Sequence, residues 1–271
     1  MFLSGLFIYP IKSLKGIALT EAKVEKRGLQ YDRRWMLVDM NNKFFTQREF
    51  PKMATISIST ESTGLKIDVE ARETLFVPYD ARPNSAAEVE VWGSHCPADF
   101  VSAEADRWFS EVLDTECRLA YMPDESLRPV NPDFAVANDV VSFADGYPFL
   151  VATEESLADL NSRLDQKVGM NRFRPNFVIS GTEPFEEDNW KLVTIGSTSF
   201  HVAKPCGRCV MTTVDQERGV KEGVEPLRTL ASFRTRNNSV MFGQNLIAAR
   251  EGNTIRVGDE FSVIEATDTL Y

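Results

Sequence analysis

Histidine and cysteine are scarce in this chain of 271 residues, with two of the first and four of the second. Four thiols, at Cys96, Cys117, Cys206 and Cys209, are too few for a disulfide scaffold in a chain this long. With His95 and His201 as the only histidines, and no second paired cysteine motif, a four-ligand structural zinc site is not supplied. Long apolar runs are also missing: no stretch approaches the roughly 18 residues of a spanning helix. The apolar start, Met1 to Pro10, has no basic flank and is interrupted at Pro10 and Lys12. These absences set the expectation of a cytoplasmic, reducing setting with free thiols and no membrane partner. Basic charge is short as well, 30 Lys and Arg against 40 Asp and Glu, for a net charge of −10 and a pI near 4.9. A negative field of that size repels nucleic acid and anionic lipid at long range, which excludes both as partners unless a local basic patch exists. What remains, 43% hydrophobic and 26% charged residues, suits a globular protein of one large or two small domains.

Strand patterns dominate. Ala54 to Thr60 alternates apolar and polar positions, and Leu65, Ile67 and Val69 repeat the alternation after a turn at Ser62-Thr63-Gly64. Trp35 to Asp39 and Lys43 to Gln47 flank Asn41-Asn42 as a second hairpin, and Glu88 to Trp92 reads as a further strand with its acidic residues on one face. Phe177 to Ser180, Thr198 to Val202 and a closing hairpin from Ile255 to Val263 continue the pattern. Three helices are expected. Ser102 caps the first, with Ala105, Trp108, Phe109, Val112 and Leu113 on its apolar face. A second runs from Thr153 to a stop at Gly169, and the third spans Pro226 to Arg234. The fold class is mainly β with peripheral helices (α+β), closer to an antiparallel barrel than to a βαβ sheet. Between Met122 and Asn138, Pro123, Pro129 and Pro132 interrupt all periodicity, marking a domain boundary or a loop over a site.

The segment Lys204-Pro-Cys-Gly-Arg-Cys-Val-Met-Thr-Thr-Val-Asp215 sets two thiols three residues apart beside two cations, which favour the thiolate. By itself this is either a reactive pair or one buried cysteine with an incidental neighbour. Its β surroundings do not give the strand-to-helix junction of a thioredoxin-like site. Basic residues also cluster beside turn formers and aromatics: Lys12 and Lys15 around Ser13, Arg33 with Arg34, and Arg172 with Arg174. Each cluster alone is either a solvated loop charge or a donor set for phosphate or a polar heterocycle, and their joint presence in an acidic chain favours the donor set.

Taken in order, Tyr9-Pro-Ile-Lys-Ser13, Asp32-Arg-Arg-Trp35, Phe173-Arg-Pro-Asn176, Arg208-Cys-Val-Met-Thr-Thr-Val-Asp215 and Phe242-Gly-Gln244 resemble the MOSC family. The resemblance runs from Ile8 to about Val263 and is greatest to the amidoxime-reducing components and their bacterial relatives. It implies an N-terminal MOSC β-barrel domain over residues 1–121, a MOSC domain over 122–271, and a molybdenum cofactor (molybdenum-molybdopterin) held between them. By the same resemblance Cys209 is the catalytic thiolate and the metal ligand, a soft donor suited to a metal already bound to sulfur. Lys12, Ser13, Arg33 and Arg174 hold the pterin and its phosphate; Asp145, Gly146 and Tyr147 line the pocket. Gly207, Arg208 and Asn245 complete the cofactor contacts, and Cys206 is not the ligand position. The implied activity is reduction of N-hydroxylated compounds such as amidoximes, hydroxylamines and N-hydroxylated bases, a detoxifying reaction. The alternative is a molybdenum-cofactor or sulfur carrier, like the MOSC part of cofactor sulfurases. Bacterial relatives with a ferredoxin-like extension carry four cluster-binding cysteines. Cys96 and Cys117 lack that spacing, so no iron-sulfur cluster is expected in this chain. Electrons are expected from an external donor protein, a flavoprotein, ferredoxin or cytochrome b5-like protein.

Overall fold

Most of the period-two segments form strands in a computed structural model of the chain, which describes residues 1–80 and 85–267. The largest sheet runs, from edge to edge, Ile17–Ala18, Phe2–Ile8, Phe177–Ser180, Phe149–Thr153, Ser239–Ala248, Thr198–Arg208, Trp190–Ile195 and Phe261–Ala266. Its pairings are antiparallel except for Phe149–Thr153 beside Phe177–Ser180, which are parallel. The sheet curls until its ends meet: Leu3 N–H donates to the Asp259 carbonyl, and Phe261 N–H to that of Met1. Aromatics fill the interior. Phe149 stacks on Phe177 at 5.5 Å between ring centroids, Phe200 meets both rings edge-on, and Trp190 packs on Phe261.

A second sheet, of Trp35–Val38, Arg118–Tyr121, Ser94–Phe100 and Ala86–Val91, and a third, of Ser57–Thr60, Gly64–Asp68 and Leu75–Pro78, build the rest of the N-terminal half. Their core joins Trp35, Leu37, Ile58, Ile67 and Leu119 to the buried face of helix α1 (Ala103–Leu113). Ser102 caps α1 by accepting from Ala105 N–H, and Ala105, Phe109, Val112 and Leu113 are buried as the spacing predicts. Helix α3 (Leu227–Arg234) also forms where expected, following Pro226.

Several local expectations are corrected. Ala54 to Ile56 are not strand: Pro51 starts a short 3-10 turn that buries Met53 and Ala54, and extended pairing begins at Ser57. Helix α2 (Glu154–Ser162) stops short of Gly169. The Asn161 side chain bonds both the N–H and the carbonyl of Val168, closing a loop that packs Leu164 and Val168 onto the helix's own cluster. Lys43 to Gln47 forms no extended strand, but the hairpin turn is present: Val38 bridges Phe44, Asp39 N–H donates to the Lys43 carbonyl and Phe45 N–H to that of Leu37, while Lys43 also bridges Glu90. The closing hairpin is absent. Thr254–Arg256 pairs with Glu21–Glu25, whereas Phe261–Ala266 pairs with Trp190–Ile195. One βαβ unit is present after all, since α2 links the two parallel strands.

The domain range 122–271 ends at Asp268 to Tyr271, which lie outside the described residues. By pairing, the chain's first strand belongs to the C-terminal sheet, so its two halves are interlocked. The proline-rich connection has neither helix nor strand between Tyr121 and Phe149. It is pinned by Arg128, whose buried guanidinium donates to the carbonyls of Ser142, Ala144 and Asp145. That clamp presents Asp145 to Tyr147 at the junction of the halves.

Candidate functional site

Chain segments far apart in sequence meet at that junction around one cavity of about 870 Å³, counting the part open to solvent. Its lining includes Lys12, Ser13, Arg33, Asp145, Gly146, Tyr147, Arg174, Gly207, Arg208, Cys209 and Asn245, the full set expected for the cofactor, whereas Lys15, Arg34 and Lys204 from the same basic clusters stand outside it, Lys15 paired with Glu217, Arg34 with Asp124 and Lys204 over the Phe134 ring. Cys206, Trp92, Thr46, Arg172 and Thr212 line it too.

Three of these side chains are aimed by unusual backbone. Ser13, Arg33 and Arg174 have φ of 67°, 50° and 53°, the left-handed region that a non-glycine residue adopts only when its surroundings impose it. The surroundings are polar and buried. Asp32, fully enclosed, accepts from Tyr9 N–H at 2.7 Å, Arg33 Nη1 at 2.6 Å and Asn176 Nδ2 at 3.1 Å. Arg33 also donates to Asn176 Oδ1 and to the Arg174 carbonyl. The guanidiniums of Arg33 and Arg174 both lie over the Tyr9 ring, at 4.1 and 4.2 Å from its centroid. Burial pushes the Tyr9 hydroxyl up to about 12 despite the two arginines, so it remains a donor, to the Pro175 carbonyl.

Lys12 reaches the other wall. Its Nζ donates to the Phe143 carbonyl at 2.8 Å and pairs with Asp145 Oδ1 at 2.5 Å; Trp92 Nε1 donates to the same oxygen at 2.9 Å. Crowding by protein works to raise the Asp145 carboxyl. The Lys12 ammonium and its hydrogen bond, the Trp92 N–H and Arg33 together outweigh that and hold it well below the usual carboxylate range. Asp145 is therefore a fixed anion at the cavity wall, with 67% of its side-chain surface open.

The third wall is the long pair Thr198–Arg208 and Ser239–Ala248, broken by two register shifts between Val202 and Gly207. Asn245 Nδ2 spans one shift by donating to the Lys204 and Pro205 carbonyls. Gly243, at φ +74°, is required here, because a Cβ would stand 2.5 Å from the Val151 carbonyl oxygen. Arg208 donates through Nε to the Phe242 carbonyl and through Nη1 to that of Phe173. Cys209 follows the strand end, ahead of a 3-10 turn over Val210–Thr213, with its side chain partly exposed. Burial pushes the Cys206 thiol up, with Arg208 opposing.

What this arrangement can bind follows from its unsatisfied groups. The Arg174 guanidinium is buried and has no hydrogen-bond acceptor among the described residues; burial and the neighbouring Arg33 pull it down to about 10, still charged at neutral pH. Nη2 of Arg208 is buried without a partner. A Cβ on Gly146 would meet nothing within 4 Å, so at that glycine the cavity wall is open backbone. Buried donors left open in this way call for an anionic, acceptor-rich guest. Among the described residues no group of three or more His, Cys, Asp or Glu side chains could hold a bare metal ion. A metal carried by its own organic ligand, with Cys209 as the single protein donor, fits these residues.

Arg48 and Trp92 carry no sequence signal of their own. Arg48 Nη2 donates to Cys209 Sγ at 3.1 Å from 161 positions away, and its guanidinium lies over Trp92. Asp32 was legible as part of a motif but not as the anchor of Arg33.

Comparisons with known proteins agree with this architecture. Residues 1–116 match the model of the MOSC N-terminal beta barrel domain, and residues 138–262 that of the MOSC domain. The chain is 36% identical to mitochondrial amidoxime-reducing component 1 of Mus musculus over 94% of its own length and 79% of the relative's. The Homo sapiens counterpart is 33% identical, over 94% and 80%. A molybdenum cofactor sulfurase of Solanum lycopersicum is 32% identical over 96% of this chain but only 35% of that protein.

Proposed function

The chain belongs to the MOSC family that includes the amidoxime-reducing components, and from that membership we propose that it is a molybdenum-cofactor-dependent reductase of N-hydroxylated compounds. The observation that carries this reading is one cavity that joins a partly exposed thiol, Cys209, to the Arg174 guanidinium and the buried Nη2 of Arg208, neither of which has an acceptor among the described residues.

When bound, the molybdenum cofactor supplies a two-electron change and an acceptor for the substrate oxygen. The chain's part is to hold and orient. Arg174, Arg208 and Arg33 would hold the phosphate and pterin, with Arg33 kept in place by Asp32. Asp145, ionised at neutral pH, would accept from ring N–H donors, while Lys12 balances its charge. Gly146 and Gly207 let the guest approach the backbone. Cys209 provides the single sulfur donor. The overall conversion, N–OH plus two electrons and two protons to N–H plus water, draws its protons from solvent, which reaches the open cavity. Electrons come from a separate protein in a reducing compartment; no helix among the described residues is long and apolar enough to cross a membrane.

A second reading, a cofactor carrier without turnover, rests on the sulfurase relative, which matches nearly the whole chain. Two measurements decide. Molybdenum and pterin analysis of wild type beside Cys209→Ser should show metal or its thiolate signature lost from the variant alone; equal content with an unchanged thiolate signature would remove Cys209 as ligand. Loaded wild type supplied with a chemical reductant should convert benzamidoxime to benzamidine. Tight cofactor binding with transfer to an acceptor protein and no conversion would establish the carrier instead.

A further inference from the structure

We propose that Arg48 forms, with the ring of Trp92 and the sulfur of Cys209, a subsite for a compact anionic oxygen group such as a carboxylate. This goes beyond the reductase reading and does not depend on it.

Arg48 lies in the turn that follows Phe45, in the N-terminal half, where its N–H donates to Thr46 Oγ1 and Phe50 N–H closes on the Thr46 carbonyl. From there its side chain crosses to the C-terminal half. Nη2 donates to Cys209 Sγ at 3.1 Å, and the guanidinium carbon stands 4.4 Å from the Trp92 ring centroid. Trp92 is held in turn by its hydrogen bond to Asp145 and by edge contact with Phe44 at 4.7 Å. The guanidinium is therefore fixed in orientation before any ligand arrives, which lowers the entropy cost of binding one.

Its one side-chain hydrogen-bond partner among the described residues is the Cys209 sulfur. Arg48 forms no ion pair with any carboxylate among the described residues, and its Nε–H is buried without an acceptor. Asp145, which holds Trp92, is itself paired with Lys12. An arginine cannot relieve this by losing its proton. A buried donor on a fixed, unpaired cation beside a partly exposed sulfur is a place for an anionic acceptor, and a guanidinium edge matches a carboxylate in shape and spacing.

The test uses the full-length chain produced in cells unable to make molybdopterin, so that Cys209 is free whatever it binds. Cys209 is alkylated with iodoacetate, which carries a carboxylate, or with neutral iodoacetamide. Tryptic cleavage after Arg208 separates the Cys209 peptide from Cys206. Both reagents consume the same thiolate, so the ratio of their rates, normalised to that of a small free thiol, reports charge selection and not thiol ionisation. Wild type should favour iodoacetate. Arg48→Gln should lower the ratio about five- to tenfold, the effect of one unit charge some 5–6 Å away in a partly wet site; Arg48→Lys should retain most of the preference. An unchanged ratio in Arg48→Gln would assign any selection to the cations that line the cavity, such as Lys12, Arg174 and Arg208, and overturn the proposal. Should Arg48→Gln fail to fold, Arg48→Lys and wild type are compared: acetate should slow alkylation of Cys209 by iodoacetamide where chloride at equal ionic strength does not, with weaker protection in Arg48→Lys, and absence of protection in wild type or equal protection in both overturns it.

Discussion

Removing the Asp32 carboxylate tests whether the arginine cradle is a coupled unit. Asp32 is fully enclosed and accepts three hydrogen bonds, one of them from the guanidinium of Arg33. In Asp32→Ala the Tyr9 N–H loses its acceptor and Arg33 its counter-charge. Breaking a buried ion pair by removing one partner costs ~3–5 kcal/mol. The Arg33 side chain is 12% exposed, so some rehydration offsets the loss and the lower part of that range applies, ~3–4 kcal/mol. Asp32→Asn keeps an acceptor for Tyr9 but sets an amide N–H against the donors of Arg33 and Asn176, which costs ~2 kcal/mol. The assay is equilibrium urea unfolding. At an m value of roughly 3 kcal/mol/M, Asp32→Ala should move the midpoint by about 1 M. With Arg33→Ala already present, the further loss from Asp32→Ala should shrink by ~2 kcal/mol, the coupling between the two charges. A loss below about 1 kcal/mol in Asp32→Ala, or strict additivity in the double variant, would refute the view that Asp32 holds Arg33 in place.

Arg174→Ala should lower molybdenum and pterin retention severalfold, measured as metal per chain after gel filtration, while Lys167→Ala, on an exposed loop, should match wild type; equal effects would detach the cavity cations from cofactor binding. Burial pushes the Glu187 carboxyl up to about 7, against hydrogen bonds from Ser156 and Thr153 and the influence of Arg234. A raised acid stabilises the fold below its unfolded value near 4.5, and that contribution is lost as pH climbs to about 7. Wild type should therefore lose stability from pH 5 to 7.5 more steeply than Glu187→Gln, by up to ~1.4 kcal/mol per pH unit, and parallel profiles would contradict this. Gly243→Ala should destabilise by more than ~2 kcal/mol, since positive φ and a carbonyl at 2.5 Å both oppose a Cβ. A thermal midpoint equal to that of wild type would show that the strand yields there.

Local chemistry was enough to read α1 from Ser102 and its apolar spacing, the strand dominance, and the motifs that carry Lys12, Arg33, Arg174 and Cys209. Each depends on neighbours within a few positions, and order along the chain tied them to one family. Partner choice was not legible. Phe2–Ile8 alternates as a strand should, but nothing local says that it pairs with Phe177–Ser180, and Ile255 to Val263 reads as a hairpin although its arms join different sheets. Nor does a motif state which of its residues is the anchor: Asp32 fills that role because folding encloses it beside Asn176. Arg48 shows the limit most plainly. It is one charge in a polar turn, and only the meeting of the two halves sets it against Cys209. The scarcity that marks this sequence has the same explanation. Two histidines and four cysteines cannot build a metal site by sequence spacing, so Cys209, one of two cysteines at the cavity, depends on tertiary structure to surround it with cations gathered from distant segments. Residue type determined what each group can do; long-range packing decided which groups do it together.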